Sequence, residues 1–277
     1  MVRTGREKML EQAADFRAES DVLYDLLAPL SEDEFKRPTL FKEWTTNDIL
    51  AHLHWGNMQA DLSLNNEAKF LERFEAMKKL RETGAGMTMR ESTDLMLEGL
   101  SGKRLLDTWR EFYGPMSDRF ASADPKKRVK WVGPDMSVRS SITARLMETW
   151  SHSQAAFDLF RVERQETDRI KNVAVLGINT FGWTFVNRGE TVPEPKPYVH
   201  LTGPSGAIWE WNEPSNEERI EGSGLEFCQV VTQTRSIGDT TLKVTGSIAT
   251  KWMAVAQCFA GPVNPPPAAG TRHMATD

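Results

Sequence analysis

The sequence has few of the features that identify the class of many proteins immediately. Only two of its 277 residues are cysteines, Cys228 and Cys258, so a disulfide scaffold and a thiolate metal site are not expected. Both thiols lie in predicted apolar elements and are predicted to be buried. No apolar run reaches the length of a membrane span, and residues 1–8 lack the apolar core of a signal peptide. We therefore expect a cytoplasmic protein.

A strong excess of one charge is also missing. The chain has 34 basic and 39 acidic residues and a formal net charge of −5. Nucleic-acid-binding domains and proteins that bind anionic membranes usually carry a basic face, which this balance does not favour. We expect a small-molecule substrate as the partner, with no nucleic acid and no membrane; the sequence assigns no oligomeric state.

The first part of the chain is predicted to be helical. Apolar residues recur at helical spacing in four long segments, 7–30, 46–65, 88–121 and about 137–160. Bends are expected in the third segment, at residues 99–102 and 114–115, because each contains glycine. The charged residues 67–82 predict an exposed helix or lid that ends at Gly84 and Gly86. Four long helices with these connections favour a four-helix bundle.

The rest of the chain has a mixed pattern. We predict a fifth helix over 168–188, strands over 198–202, 207–211 and 240–245, and helices over 225–233 and 247–259. The predicted fold class is therefore α+β, with an N-terminal helical bundle followed by a small α+β domain. The predicted domains are residues 1–165 and 166–277.

Glu148 and His152 are the first candidate ligands of a metal ion. They lie four residues apart on the fourth predicted helix, so their side chains share one face. The second helix, with Thr45 as its N-cap, carries His52 and His54. His52 borders the apolar face of that helix and His54 falls on the far side, so His52 is the better third ligand.

Two histidines and one carboxylate leave a coordination position open, as catalytic zinc sites do. Zinc, nickel and iron suit these ligands, whereas calcium and magnesium prefer oxygen alone. The ordinary interpretation is a solvated Glu–His pair on one helix and a hydrogen-bonded histidine on the other, and residue types alone do not exclude it.

Three further side chains are candidates around these ligands. Arg145 lies one helical turn before Glu148 and is the candidate catalytic residue, because a guanidinium can hold a carboxylate or offset charge on an enolate. Arg139, six residues earlier, and Gln154 are candidates for substrate binding. Surface ion pairs are the ordinary alternative for both arginines.

The two helices resemble the metal-binding signature of the mycothiol-dependent maleylpyruvate isomerase family, part of the wider DinB-like group. That signature is a tryptophan before a helix, Ala-His-Leu within it, and Glu-x-x-x-His about a hundred residues later. The matching residues are Trp44, Ala51-His52-Leu53, Glu148 and His152. The resemblance covers about the first 165 residues and implies a DinB-like four-helix bundle. Residues 201–211 and 256–261 are similar to an actinobacterial branch with a C-terminal module like the wyosine-base-formation domain.

The resemblance implies a divalent, zinc-type metal and a low-molecular-weight thiol such as mycothiol. The expected activity is thiol-dependent isomerisation of, or thiol transfer to, an electrophilic small molecule. The family often has Gln-Asp after the metal histidine, whereas this chain has Gln154-Ala155, so its substrate need not be the family's. A thiol-independent metal-dependent hydrolase, hydratase or lyase, and a non-catalytic metal- or ligand-binding protein, are the alternatives.

Overall fold

A computed structural model describes residues 10–83, 87–131, 133 and 135–276 of the chain. The predicted start of the first helix at residues 7–9, the predicted stop at Gly84 and Gly86, and residues 1–8 lie outside that part. The chain forms two compact units. The first contains the residues up to Pro38 together with Trp44–Thr149, and the second contains Thr39–Glu43 together with residues from Trp150 onward.

Helices make up most of the first unit. They are α1 (Glu11–Leu27), α2 (Thr46–Asn65), α3 (Glu67–Thr83), α4 (Met89–Met96), α5 (Gly102–Ser122) and the amino-terminal part of α6 (Val138–Phe160). Large apolar side chains of α1 and α5, among them Phe16, Trp109 and Phe120, are fully buried. The contacts run from α1 to α5 and from α5 to α2. A two-stranded antiparallel ribbon, β1 (Arg128–Val129) and β2 (Met136–Ser137), leads into α6.

The second unit combines short helices with one sheet. Its helices after α6 are α7 (Lys171–Asn179), α8 (Phe181–Val186), α9 (Gly224–Val231) and α10 (Ser247–Val255), and its strands are β3 (Tyr198–Thr202), β4 (Ile208–Trp211), β5 (Arg219–Ser223) and β6 (Lys243–Thr245). The strand order is β4-β3-β5-β6. β3 pairs in parallel with β5, and the other two pairings are antiparallel. The side chains of Val199, Leu201 and Ile220 are fully buried on this sheet.

The predicted α+β class and the helical N-terminal part are confirmed. Helix α2 has the predicted bounds, and β3 has the bounds of its predicted strand. Cys228 and Cys258 are buried thiols, as expected. None of the described helices has both the length and the apolar character that a membrane span needs. The domain boundary at residue 165 stays a prediction.

Several predicted elements needed correction. The predicted helix over 88–121 is two helices, because Glu98 and Gly99 have φ values of 55° and 72° and cannot continue α4. Pro115, in contrast, lies inside α5 without ending it. The predicted helix over 168–188 is a 3-10 turn followed by α7 and α8.

Helix α3 differs from the exposed segment that its charges predicted. Phe70 and Met77 are buried, and the ring of Phe70 stacks on Phe74 with 6.1 Å between ring centroids. Helix α3 therefore packs one face against the unit, mainly against α2. The strands β1, β2 and β5 were not predicted.

Candidate metal centre

The first candidate ligand, His52, is positioned by the start of α2. The Oγ1 atom of Thr45 accepts from the backbone N–H of Asp48 at 3.1 Å, and the carboxylate of Asp48 accepts from the backbone N–H of Thr45 at 2.7 Å. This capping box satisfies two N–H groups at the helix start and fixes where the helix begins. Two turns later, the ring of His52 meets the edge of Trp44 at 5.5 Å between centroids.

The other two candidate ligands lie one turn apart on α6. Nε2 of His52 is 3.0 Å from Oε2 of Glu148, which places α2 and α6 side by side at this level. One ligand atom from each of His52, Glu148 and His152 lies within 4.8 Å of the other two. The side chains of His52 and Glu148 are 24% and 21% exposed, so a small molecule can reach them.

The donor set suits a borderline divalent metal. A tetrahedral ion with bonds of about 2.0–2.1 Å holds its ligand atoms about 3.3 Å from one another. The contact between His52 and Glu148 is close to that separation. Two imidazole nitrogens and one carboxylate oxygen are ligands that zinc, nickel and iron accept. The residues present therefore fit such an ion.

His152 is bordered by an aromatic ring from the segment before α2. The ring of Phe41 meets the imidazole of His152 edge-on, with 5.1 Å between centroids and an interplanar angle of 75°. A ring in this position restricts the rotation of the imidazole, and restricted ligands favour one coordination geometry.

Arg145 is buried between α2 and α6 rather than open to solvent. The residue is only 2% exposed. Nε donates to Oδ1 of Asn57 at 3.0 Å, and Nη2 donates to the backbone carbonyl of Leu53 at 3.3 Å. Burial lowers the pKa of Arg145, and the charge of Glu148 opposes that shift.

A glycine makes room for this guanidinium. A Cβ atom on Gly56 would lie 2.6 Å from Nη1 of Arg145, closer than two such atoms can approach. Arg145 therefore joins α2 to α6 one turn from Glu148, through contacts that a Cβ atom at position 56 would displace. The predicted catalytic role of Arg145 stays a prediction, and the observed contacts are those of a residue that positions the two helices.

The two predicted substrate-binding residues lie in different surroundings. Arg139 is exposed near the start of α6. Gln154 is buried, and its amide donates to Oδ1 of Asp158 at 3.0 Å. The carboxylate of Asp158 also accepts two hydrogen bonds from Arg235, at 2.9 and 2.7 Å. Gln154 thus belongs to a polar network with Asp158 and Arg235, and substrate binding by either Arg139 or Gln154 stays a prediction.

His54 is not part of the candidate centre. Its ring packs edge-on against Phe112 of α5 at 5.4 Å, and the residue is 3% exposed. Burial, followed by the charge of Arg73, lowers its pKa to about 4. His54 therefore lies apart from the candidate ligands, and the assignment of His52 as a metal ligand stays a prediction.

Sequence reasoning missed Phe41, Gly56 and Asn57. The segment of Phe41 has no helical or strand periodicity, so nothing local predicted that its ring would meet His152. Gly56 lies inside the predicted second helix, and a glycine in such a position is a usable signal for a close approach. The partner that approaches it could not be inferred from the pattern.

The N-terminal part of the chain matches the family that its motifs resemble. A family model described as the mycothiol maleylpyruvate isomerase N-terminal domain matches residues 16–157. Two relatives from Mycobacterium tuberculosis, of strains CDC 1551 and H37Rv, are each 35% identical over 249 residues. The match covers 90% of this chain and 95% of each relative, and both are described as uncharacterised proteins. The predicted likeness of the C-terminal module stays a prediction.

Two solved structures match the chain in a structural comparison. Both are described as the mycothiol-dependent maleylpyruvate isomerase, one of them as a histidine-to-alanine mutant. The mutant has a TM-score of 0.50 at 13% identity, and the other structure has 0.49 at 14%. Each match covers 79% of this chain and 87% of the solved chain. At this identity the mutant structure supports the fold alone.

Proposed function

Because the chain belongs to the mycothiol maleylpyruvate isomerase N-terminal domain family, we propose that it is a metal-dependent enzyme that uses a low-molecular-weight thiol. The metal ligands in this proposal are His52, Glu148 and His152. The reaction is isomerisation of, or thiol transfer to, an electrophilic small molecule. The observation that carries the proposal is the approach of one ligand atom from each of these three residues to within 4.8 Å of the others.

The metal in this proposal is zinc, with nickel and iron as the other ions that suit the donor set. A bound ion of this kind supplies an open coordination position in which a thiol or water loses its proton at neutral pH. Three protein ligands, rather than four, are what leave that position open.

The chain's own residues orient the ligands. Trp44 borders the ring of His52, and Phe41 borders the ring of His152. Arg145 is a positioning residue in this proposal, since its guanidinium is buried and held by Asn57 and Leu53. The charge of Glu148 in turn offsets part of the cost of burying this guanidinium.

Cobalt substitution tests the use of a thiol. Cobalt(II) replaces zinc in such sites and makes the ligand field visible by absorption. We expect mycothiol, or a simpler aminothiol such as cysteamine, to add a thiolate-to-cobalt charge-transfer band in the near ultraviolet. The corresponding alcohol, ethanolamine, is the control and is expected to add no such band. Zinc-loaded protein is also expected to be stabilised, by about 2.7 kcal/mol at a thiol concentration a hundred times the Kd.

A thiol-independent hydrolase, hydratase or lyase is the second candidate. The observation behind it is Ala155, at the position where the resemblance implies an aspartate, because this departure means that the substrate need not be the family's. If cobalt binds and every thiol leaves its spectrum unchanged, the thiol-dependent reaction is wrong and this second candidate takes its place. A protein that binds metal but turns over no electrophile with or without thiol would be the non-catalytic alternative.

A further inference from the structure

A short loop before α2, Thr39–Glu43, groups with the second unit although the residues on either side of it belong to the first. An antiparallel bridge between Pro38 and Thr45 closes its ends. Lys42 and Glu43 have φ values of 52° and 57°, in the left-handed region that non-glycine residues rarely adopt. Such a conformation is maintained only where the surroundings require it. The loop is therefore held by contacts beyond its own residues.

The tail of the chain, residues 262–276, makes two such contacts. The guanidinium carbon of Arg272 lies 4.8 Å from the ring centroid of Phe41, and Nζ of Lys42 donates to Oδ1 of Asn264 at 3.2 Å. A cation within about 6 Å of an aromatic centroid is attracted to the face of the ring, more strongly where water is partly excluded. Arg272 and Phe41 are both partly buried. The tail therefore restrains the ring of Phe41 and the side chain next to it.

Hydrogen bonds to one buried side chain fix the course of the tail. Residues 262–276 contain no helix or strand, so regular backbone pairing does not hold them. Gln233, which is 2% exposed, donates from its amide to the carbonyl of Asn264 at 2.9 Å and accepts from the amide of Asn264 at 2.6 Å. Its backbone carbonyl accepts from Nη1 of Arg272 at 2.7 Å. Buried networks whose members are satisfied are rigid, so both tail residues that contact the loop are well fixed.

Phe41 connects the tail to a candidate ligand. Its ring centroid is 5.1 Å from that of His152, with an interplanar angle of 75°, while Arg272 lies against the same ring of Phe41. All three residues belong to the second unit. An imidazole whose rotation is limited before metal binding loses less freedom when the metal binds, so its affinity is higher. A restraint on Phe41 is thereby a restraint on His152.

We propose that Arg272 and Asn264 are positioning residues for the candidate metal centre. They hold Phe41 and Lys42, and Phe41 holds the imidazole of His152 in the orientation that binds metal. The role of His152 as a metal ligand rests on the proposed function, whereas the orientation of its ring by the loop and the tail does not. A tail that only covers the second unit would affect stability and leave this ring unchanged.

Nuclear magnetic resonance of the metal-free full chain, labelled at histidine, tests the orientation directly. The ring current of Phe41, at 5.1 Å, shifts the imidazole signals of His152, which are assigned with His152→Ala. Arg272→Met is expected to move these signals toward their positions in Phe41→Leu, which has no ring. Arg272→Lys restores a cation and should return part of the shift. Lys42→Met, which leaves the bond from Arg272 to Gln233 intact, should move the signals in the same direction as Arg272→Met.

Zinc affinity, measured by competition with a chromophoric chelator, tests the consequence for the centre. Phe41→Leu is expected to weaken zinc binding about tenfold, as loss of a residue that orients a ligand does. Arg272→Met is expected to weaken it about two- to fivefold, the equivalent of one cation–aromatic contact. Because Arg272 acts through Phe41, the double variant should bind zinc no more weakly than Phe41→Leu alone.

Lys171→Met is the matched control in the second unit. Nζ of Lys171 lies 5.8 Å from the ring centroid of Trp209, and neither residue belongs to the loop, the tail or the candidate ligands. The variant removes the same kind of contact and is expected to leave the His152 signals and the zinc affinity unchanged. Unfolding temperatures of all variants separate a general loss of stability from these effects.

The two measurements separate this proposal from the proposed function. His152 signals that are the same in the wild type, Arg272→Met and Lys42→Met would overturn the positioning role, whatever the metal affinity. Additive losses of zinc affinity in the double variant would overturn it as well, because Arg272 would then act independently of Phe41. His152 signals that depend on Arg272 in a protein that binds no zinc would support the positioning role and reject the proposed function.

Discussion

At the scale of single residues, Arg145 connects the two helices that carry the candidate ligands. Its guanidinium lies against Gly56, donates to Asn57 and Leu53, and is one turn from Glu148. A buried guanidinium is costly unless its hydrogen bonds are made in good geometry. The position of these donors therefore depends on the missing side chain at position 56.

Gly56→Ala tests this dependence. The added Cβ would lie 2.6 Å from Nη1 of Arg145, so the guanidinium must shift and its bonds to Asn57 and Leu53 weaken. We expect a loss of about 1–3 kcal/mol in the free energy of unfolding, as for overpacking in a core. We also expect weaker metal binding. Urea denaturation and competition with a chromophoric chelator measure the two effects.

Gly182→Ala is the matched control on α8. The nearest atom to its added Cβ would be Cγ2 of Val192 at 3.7 Å, an ordinary contact. The higher helix propensity of alanine should then stabilise the protein by up to about 1 kcal/mol. If the two variants respond alike, in stability and in metal affinity, Gly56 has no special relation to Arg145.

At the scale of elements, α2 supplies one ligand of the centre and begins with a complete capping box. Thr45→Ala removes the hydroxyl that accepts from Asp48 and is expected to cost about 1 kcal/mol of stability. Because fraying of the first turn also moves His52, the variant should bind metal several-fold more weakly. Thermal unfolding and chelator competition measure both.

Helix α4 provides the comparison for this variant. Thr88 and Glu91 form the same kind of capping box at its start. Thr88→Ala should therefore cost a similar free energy of unfolding and leave the metal affinity unchanged, since α4 carries no candidate ligand. A similar loss of metal affinity in both variants would mean that general destabilisation, and not the start of α2, controls the site.

The bounds of α2 could be predicted because its signals are local. Thr45, Asp48 and the apolar spacing that follows all act within one or two turns. The same is true of Glu148 and His152, whose separation along α6 is fixed by helical geometry. Their approach to His52 needed the family resemblance as well, because the contact joins residues 96 positions apart.

Other features depend on distant partners and left little local signal. Strand β5 was missed because Arg219–Ser223 lacks a regular alternation of apolar and polar residues; its place comes from pairing with β3 and β6. The break between α4 and α5 was expected only as a bend. Burial of Arg145 could not be foreseen, since an arginine on a helix is most often solvated.

At the scale of the whole molecule, stability should fall in mild acid because of His54. Its folded-state pKa is about 4, below the unfolded value near 6.5, so the unfolded chain binds more protons between those values. The contribution is fully present above pH 6.5 and is lost as the pH falls toward 4, by roughly 3 kcal/mol in total. Urea denaturation at pH 7.5, 6 and 5 measures the slope.

His54→Leu is the variant that isolates this contribution. It removes the titrating ring, whose Nδ1 has no hydrogen-bond partner among the described residues, and keeps an apolar side chain against Phe112. As the pH falls, the unfolding free energy of the wild type should decrease relative to that of the variant. A difference that is constant from pH 7.5 to 5 would contradict the low pKa of His54.

The central claim is that His52, Glu148 and His152 bind one divalent metal ion. Metal content measured by plasma mass spectrometry, on wild type, His52→Ala, His152→Ala and the exposed control His273→Ala, tests it most directly. After zinc loading and removal of free ion, we expect about one equivalent per chain in the wild type and in His273→Ala. His52→Ala and His152→Ala should each retain less than about a tenth of that. Full metal content in either ligand variant would contradict the assignment of the centre.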